Sequence, residues 1–164
     1  MQYMKLNPDQ REEFLTALAG MPAFLRDVFA GLSSEQMRSR APDGTLSPVE
    51  QVWHLADLER EGFGERIRRL LSENGPHLPD FNGTEIAVQR NYRALSFAAG
   101  LAAFTEARRH NIAALRAVDE LSWWLSGTQE GVGQVSLCDI PGFISQHDLA
   151  HRIESEAWMQ SATD

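Results

Sequence analysis

Residues 144 to 158 read ISQHDLAHRIESEAW. His147 and His151 stand four positions apart and Glu154 three further on, so a helix stacks all three side chains on one face. Imidazoles at that spacing sit on Cβ atoms about 5–6 Å apart. Both rings can then reach one divalent metal at roughly 2.0–2.1 Å. On a wheel of about 100° per residue, Ile140, Phe143, Ile144, Ala150, Ala157 and Trp158 share an arc whose centre holds His147, His151 and Glu154. Three polar groups in a buried stripe need partners. Two core histidines bonded to neighbours meet that need as well as a metal does, and periodicity alone leaves both readings open.

A metal centre needs at least a third ligand. His77 follows a proline in a connecting loop, and His110 lies in the polar run Arg108-Arg109-His110-Asn111, so both are expected to face solvent. His54 sits about two turns into a predicted helix, in the stretch Gln51-Val52-Trp53-His54-Leu55-Ala56-Asp57-Leu58-Glu59. A straight wheel turns it away from the stripe of Val49, Val52, Ala56, Phe63, Ile67 and Leu70, onto the side of Glu50 and Asp57. Trp53, Leu55 and Leu58 flank it, which suits a segment that is apolar nearly all round. The residues by themselves leave His54 undecided.

Four long helical stretches must position these groups. The first opens at Asn7-Pro8, an N-cap with proline at N1, and is interrupted at Gly20-Met21-Pro22. A short turn is expected from Ser33, and Ala41-Pro42-Asp43-Gly44 reads as loop. Ser47-Pro48-Val49-Glu50 is a capping box that starts the second helix, which runs to about Leu71. Residues 75 to 83 form a connection rich in proline and glycine, with a short helix expected from Glu85 to Tyr92. The third helix spans Ser96 to about Val118. The fourth begins between Ser136 and Pro141 and ends near Trp158. Between them lies a loop with three glycines, Ser126 to Gly133. No convincing strand appears, because residues 133 to 137 are too short and isolated. The expected fold is all-α: one domain over residues 1–164, an antiparallel four-helix bundle with long connections and one or two short extra helices.

A net charge of −8 argues against nucleic acid and anionic membrane surfaces, both of which require a positive footprint. The clusters Arg66-Ile67-Arg68-Arg69 and Arg108-Arg109-His110 are interleaved with glutamates and read as solvated helix faces. A single cysteine, Cys138, excludes an internal disulfide. With no apolar run of signal or membrane-span length, the expected location is the cytoplasm. There is no nucleophile elbow, P-loop or dinucleotide fingerprint, so any catalysis rests on a metal.

The order of these features resembles the DinB/YfiT-like family. Ser47 to Glu59 is similar to that family's second helix, where a histidine in an H-L-A-D-x-E phrase ligates a metal. Gly133 to Ile153 resembles its last helix, whose H-x-x-x-H pair completes a three-histidine site. The lead-in with Trp124 and glycines 127, 131 and 133 looks alike, and Arg108 or Arg109 falls where many members carry an arginine. The resemblance implies a bundle, often dimeric, with His54, His147 and His151 on a divalent ion: zinc, nickel, copper, iron or manganese. Glu154 stands where members often have glutamine, which implies a partner for a ligand ring or an alternative ligand. Glu154 and Asp57, with Glu50 beside His54, are the candidate catalytic carboxylates. The implied function is a metal-dependent enzyme that activates a low-molecular-weight thiol or a water, of S-transferase or hydrolase type. The alternative is a non-catalytic metal-binding stress-response bundle.

Overall fold

Caps set where the helices begin. The Asn7 side chain accepts from the Gln10 amide at 2.9 Å and the Gln10 side chain accepts from the Asn7 amide at 3.0 Å, with Pro8 at the first helical position. The same reciprocal arrangement joins Ser47 and Glu50. In the computed structural model, which describes residues 5–163, these starts launch α1 (Pro8–Leu18) and α4 (Pro48–Asp57). α2 (Met21–Val28) continues the first arm beyond the Gly20 break. α3 (Ser34–Arg38) is the short turn expected from Ser33.

The second arm is not a uniform helix. α4 passes without interruption into a π-helical stretch, Leu58–Gly64, and then into α5 (Glu65–Ser72). A π turn leaves a backbone carbonyl without its usual intrahelical donor. Here the Glu59 carbonyl takes a hydrogen bond of 2.8 Å from Asn111 Nδ2. Gly64 makes the room, since a Cβ there would lie 2.8 Å from the Glu59 oxygen. α6 (Gly83–Arg90) is the second short helix, followed by a 3-10 turn, Tyr92–Ala94. α7 (Phe97–Arg116) is capped by Ser96, and α8 (Ile140–Thr163) outruns its expected end at Trp158.

The four arms pack as a bundle. α4 lies against α7 and α8, while α1 and α2 contact both α7 and α8. The molecule is mostly helical but not purely so. β1 (His77–Leu78) pairs parallel to β2 (Ser126–Gln129), which pairs antiparallel to β3 (Gly133–Ser136) with Gly127 opposite Val135. The sequence reading had no strand here. The glycine-marked loop is the turn of a hairpin, and the third strand arrives from about fifty residues earlier (Leu78 opposite Gln129), which local patterning cannot register. No described helix is long and apolar enough to cross a membrane.

Two apolar clusters form the core. One gathers Leu15, Leu18, Phe63, Ile67, Leu70 and Ile144; the other gathers Met21, Leu25, Phe29, Val52, Phe104 and Trp158. Arg108 reaches both, with its guanidinium over the Phe104 ring and a 2.9 Å hydrogen bond to the Leu18 carbonyl. It binds Asp148 through two hydrogen bonds of 2.7 and 2.8 Å, and its Nε lies 2.9 Å from Glu59 Oε1 as an ion pair without hydrogen-bond alignment. At 2% exposure, Arg108 corrects the expectation of a solvated face, as does buried Arg66, whereas Arg109, His110 and Arg68 are exposed. The acids that neutralise Arg108 come from other helices, so Glu106 beside it in sequence misdirected the reading.

The buried line of α8 also differs from the wheel. It runs Ile140, Ile144, Asp148, His151, Ser155 and Trp158, while Ala150 and Ala157 are exposed and His147 and Glu154 flank the line. Asp148, paired with Arg108, draws the inward face one position round.

Removing one partner of a buried, hydrogen-bonded charge group costs about 3–5 kcal/mol. Arg108→Met should therefore lower the unfolding free energy by that order in urea titrations at neutral pH. Arg109→Met, on an exposed side chain, should change stability by no more than about 0.5 kcal/mol.

Candidate metal centre

α4 contributes His54, and α8 contributes His147 and His151 one turn apart. His54 Nε2 and His147 Nε2 face each other at 3.3 Å. The ring centroid of His151 lies 5.0 Å from that of His54 and 4.5 Å from that of His147. One ring nitrogen from each residue lies within 4.8 Å of the other two. Two nitrogens held by one ion at roughly 2.05 Å with tetrahedral angles lie about 3.3 Å apart, which is the separation of His54 and His147. The donor set fits a divalent metal in spacing and in chemistry.

Each ring is held from behind. His151 donates Nδ1–H to Gln51 Oε1 in a short hydrogen bond, and the same nitrogen lies 3.3 Å from Glu154 Oε2. Gln51 Nε2 donates to Glu154 Oε2 at 3.2 Å, closing the triangle. With the proton on Nδ1, Nε2 of His151 keeps its lone pair for the centre. His54 is backed by Gly83, where a Cβ would meet its Cε1 at 2.6 Å, and by the Phe81 ring. Phe63 presents its ring to His147 edge-on at 6.1 Å.

Electrostatics keep two of the rings neutral. Burial first, and then repulsion from His151, lowers the His54 pKa to about 4. Burial, His151, His54 and the Arg108 guanidinium lower His147 to about 3. Glu154 is shifted the other way in effect: its hydrogen bond with His151 leads the interactions that hold its pKa below the usual carboxylate range.

The remaining candidates lie outside this triangle. Asp57 is buried, which by itself would raise its pKa, but hydrogen bonds from Tyr92, Arg60 and Arg90 bring it below the usual value. Its carboxylate bonds none of the three imidazoles. Glu50 is held by Ser47 and by both Nε and Nη2 of Arg40. His77 and His110 are exposed, as expected. The sequence reading missed Gln51. Its signal was present, since a glutamine three residues before His54 shares that helical face amid apolar neighbours. The straight wheel erred in exposing His54. The segment is buried nearly all round, because Phe81, Gly83 and α8 cover the side that α7 does not. A cleft of about 500 Å³ opens beside His54, lined also by Arg40, Gly83, Tyr92 and Arg93.

Histidines that stay neutral when folded but protonate when unfolded make stability fall on acidification. The unfolded chain binds protons at His54 and His147 below pH about 6.5, and the folded chain does so only near pH 4 and 3. Chelator-treated protein should therefore lose stability between about pH 6.5 and 4, by up to about 1.4 kcal/mol per pH unit for each histidine. The His54→Gln/His147→Gln double variant should show a shallower slope in urea titrations across that range.

The chain resembles known proteins in both sequence and fold. A Geobacillus kaustophilus protein, provisionally named a metal-dependent hydrolase, is 32% identical over 76 residues, covering 46% of this chain and 42% of that protein. A Geobacillus thermodenitrificans protein with the same provisional name is 32% identical over 84 residues, covering 51% of this chain and 47% of the other. The chain thus spans less than half the length of these curated relatives. In structure it matches YfiT from Bacillus subtilis, described as a probable metal-dependent hydrolase with an unusual four-helix bundle topology. The TM-score is 0.88 at 17% identity, over 98% of this chain and 91% of that one. The DinB superfamily model matches residues 17–155, with His54, His147 and His151 all inside the match, and the chain belongs to that superfamily.

Proposed function

We propose that this chain is a divalent-metal-dependent hydrolase built on His54, His147 and His151. The carrying observation is the convergence of three imidazoles, two held neutral by burial, with no fourth histidine, cysteine or carboxylate in the cluster among the described residues. Three protein ligands are the arrangement of catalytic rather than structural sites, since structural sites close with four. When bound, a divalent ion supplies Lewis-acid chemistry, polarising an oxygen or sulfur donor and lowering that donor's pKa towards neutrality. The provisional names of the two Geobacillus relatives support hydrolysis as the reaction type. A thiol in place of water gives the transferase variant of the same chemistry.

The chain's own residues divide the remaining work. Gln51 fixes the tautomer and tilt of His151 by accepting its Nδ1–H. Glu154 is half-exposed beside His151 and ionised at neutral pH, and the contacts with Gln51 and His151 both use Oε2. Its Oε1 is the oxygen available to take a proton from an attacking water or thiol. Phe63 and Phe81 wall two of the rings with apolar surface, which strengthens electrostatic interactions within the site. Asp57 serves through Arg90 and Tyr92, bracing the end of α6 and the turn after it against α4.

Untagged protein should carry about one divalent ion per chain by elemental analysis, and His147→Ala should abolish stoichiometric binding. Gln51→Leu should weaken metal affinity by about 10–100-fold, the range for losing a group that orients a ligand ring. The stoichiometric reading fails if His147→Ala takes up metal as the parent does. For the reaction, hydrolysis of ester and amide panels and conjugation of small thiols to electrophiles should both be followed with and without chelator. Glu154→Gln should cut the metal-dependent rate by about 10²-fold while leaving metal content intact. Turnover that survives complete metal removal overturns the mechanism, and full metal loading with no turnover on either panel favours a non-catalytic metal protein.

A further inference from the structure

The cleft beside His54 contains an arginine that the metal centre does not use. Arg93 lines the same 500 Å³ cleft as His54, Leu46, Val88 and Glu50. Its side chain is tethered, with Nε donating to the Arg38 carbonyl at 3.1 Å. Among the described residues, no carboxylate lies within ion-pair distance of it, and its two terminal nitrogens have no hydrogen-bond acceptor. Arg40 differs in this respect, because Glu50 occupies and neutralises it.

The backbone that presents Arg93 is fixed on both sides. Asn91 adopts the left-handed conformation with φ 45 as the C-terminal cap of α6, a position that asparagine fills more readily than other residues with a side chain. Tyr92 is buried at 1% exposure and donates to Asp57 at 2.6 Å. A capped, anchored turn therefore holds an uncompensated guanidinium at a cleft that a candidate metal ligand also lines. In a chain of net charge −8, that is a local reversal of sign.

We propose that this cleft binds a small carboxylate with a short apolar body, the carboxylate held by the two terminal nitrogens of Arg93; that this ligand is the substrate rests on the hydrolase reading above. A guanidinium fork matches a planar carboxylate with two parallel hydrogen bonds. A phosphate dianion fits less well, since Glu50 lines the same cleft and no second unpaired cation does. Leu46, Ala87 and Val88 supply apolar wall for the body of the ligand.

Hexanoate and its neutral isostere hexanamide test this without reference to turnover. Each is titrated into isotopically labelled protein, metal-free and metal-loaded, and followed by amide chemical shifts. Hexanoate should shift the amides of Gly83, Val88 and Asn91 saturably in both forms. Hexanamide should bind at least about tenfold more weakly, the factor that corresponds to losing roughly one charge-assisted hydrogen bond. Arg93→Gln should lose the same factor for hexanoate with metal content unchanged, and Arg93→Lys should recover part of it. Equal binding of hexanamide by the parent protein, equal binding of hexanoate by Arg93→Gln, or no saturable shift at these amides overturns the proposal. Because metal content is measured separately, loss of the metal reading leaves the Arg93 result standing, and the reverse holds as well.

Discussion

One buried guanidinium touches every arm of this bundle. Arg108 on α7 takes Asp148 from α8, Glu59 from the π stretch of the second arm and the Leu18 carbonyl from the end of α1. A charge at 2% exposure has no access to water, so each of these partners must arrive in register. Sliding any one arm by a turn strands a charge in the core. Two acids share one base in this layer, and Asn111 adds a hydrogen bond to Glu59 Oε1 at 3.0 Å. The layer therefore restricts how the helices can pack more than it adds to their net stability.

That restriction extends to the histidines. Asp148 directly follows His147, so the pairing that seats Arg108 also sets the rotation and height of α8 at the metal centre. Glu59 lies five residues beyond His54, and the π turn that frees its carbonyl for Asn111 belongs to the same arm. Gly64 is the local concession that makes this possible, and Gly83 is the corresponding one at the site, where the chain passes against the His54 ring. Small residues here mark where other groups must come close rather than where the chain must bend.

Polar groups are layered around the imidazoles in order of exposure. Gln51 is fully buried, His151 nearly so, and Glu154 half open, which runs a hydrogen-bonded path from the core to the solvent. Gln51 makes two contacts with its one amide, accepting from His151 and donating to Glu154. A hydrocarbon of the same shape could fill the space but could not select the His151 tautomer.

Much of this was legible in the chain. Asn7-Pro8, Ser47-Pro48 and Ser96 start helices because a cap oxygen and the amide that donates to it lie within three residues of each other. The spacing of His147 and His151 places both on one face by helical geometry alone, and the break at Gly20 needs no partner to be seen. The resemblance, not the periodicity, supplied His54, whose ring nitrogen meets one 93 positions away. The burial of Arg108, the role of Gln51 and the small sheet depend on partners just as remote: Gln51 and Glu154 are 103 positions apart. Local physics chose the elements because caps, turns and i,i+4 faces act within a few residues. Which polar side chains are buried was decided by the tertiary structure, since a charge or amide can leave water only when its partner arrives from another helix.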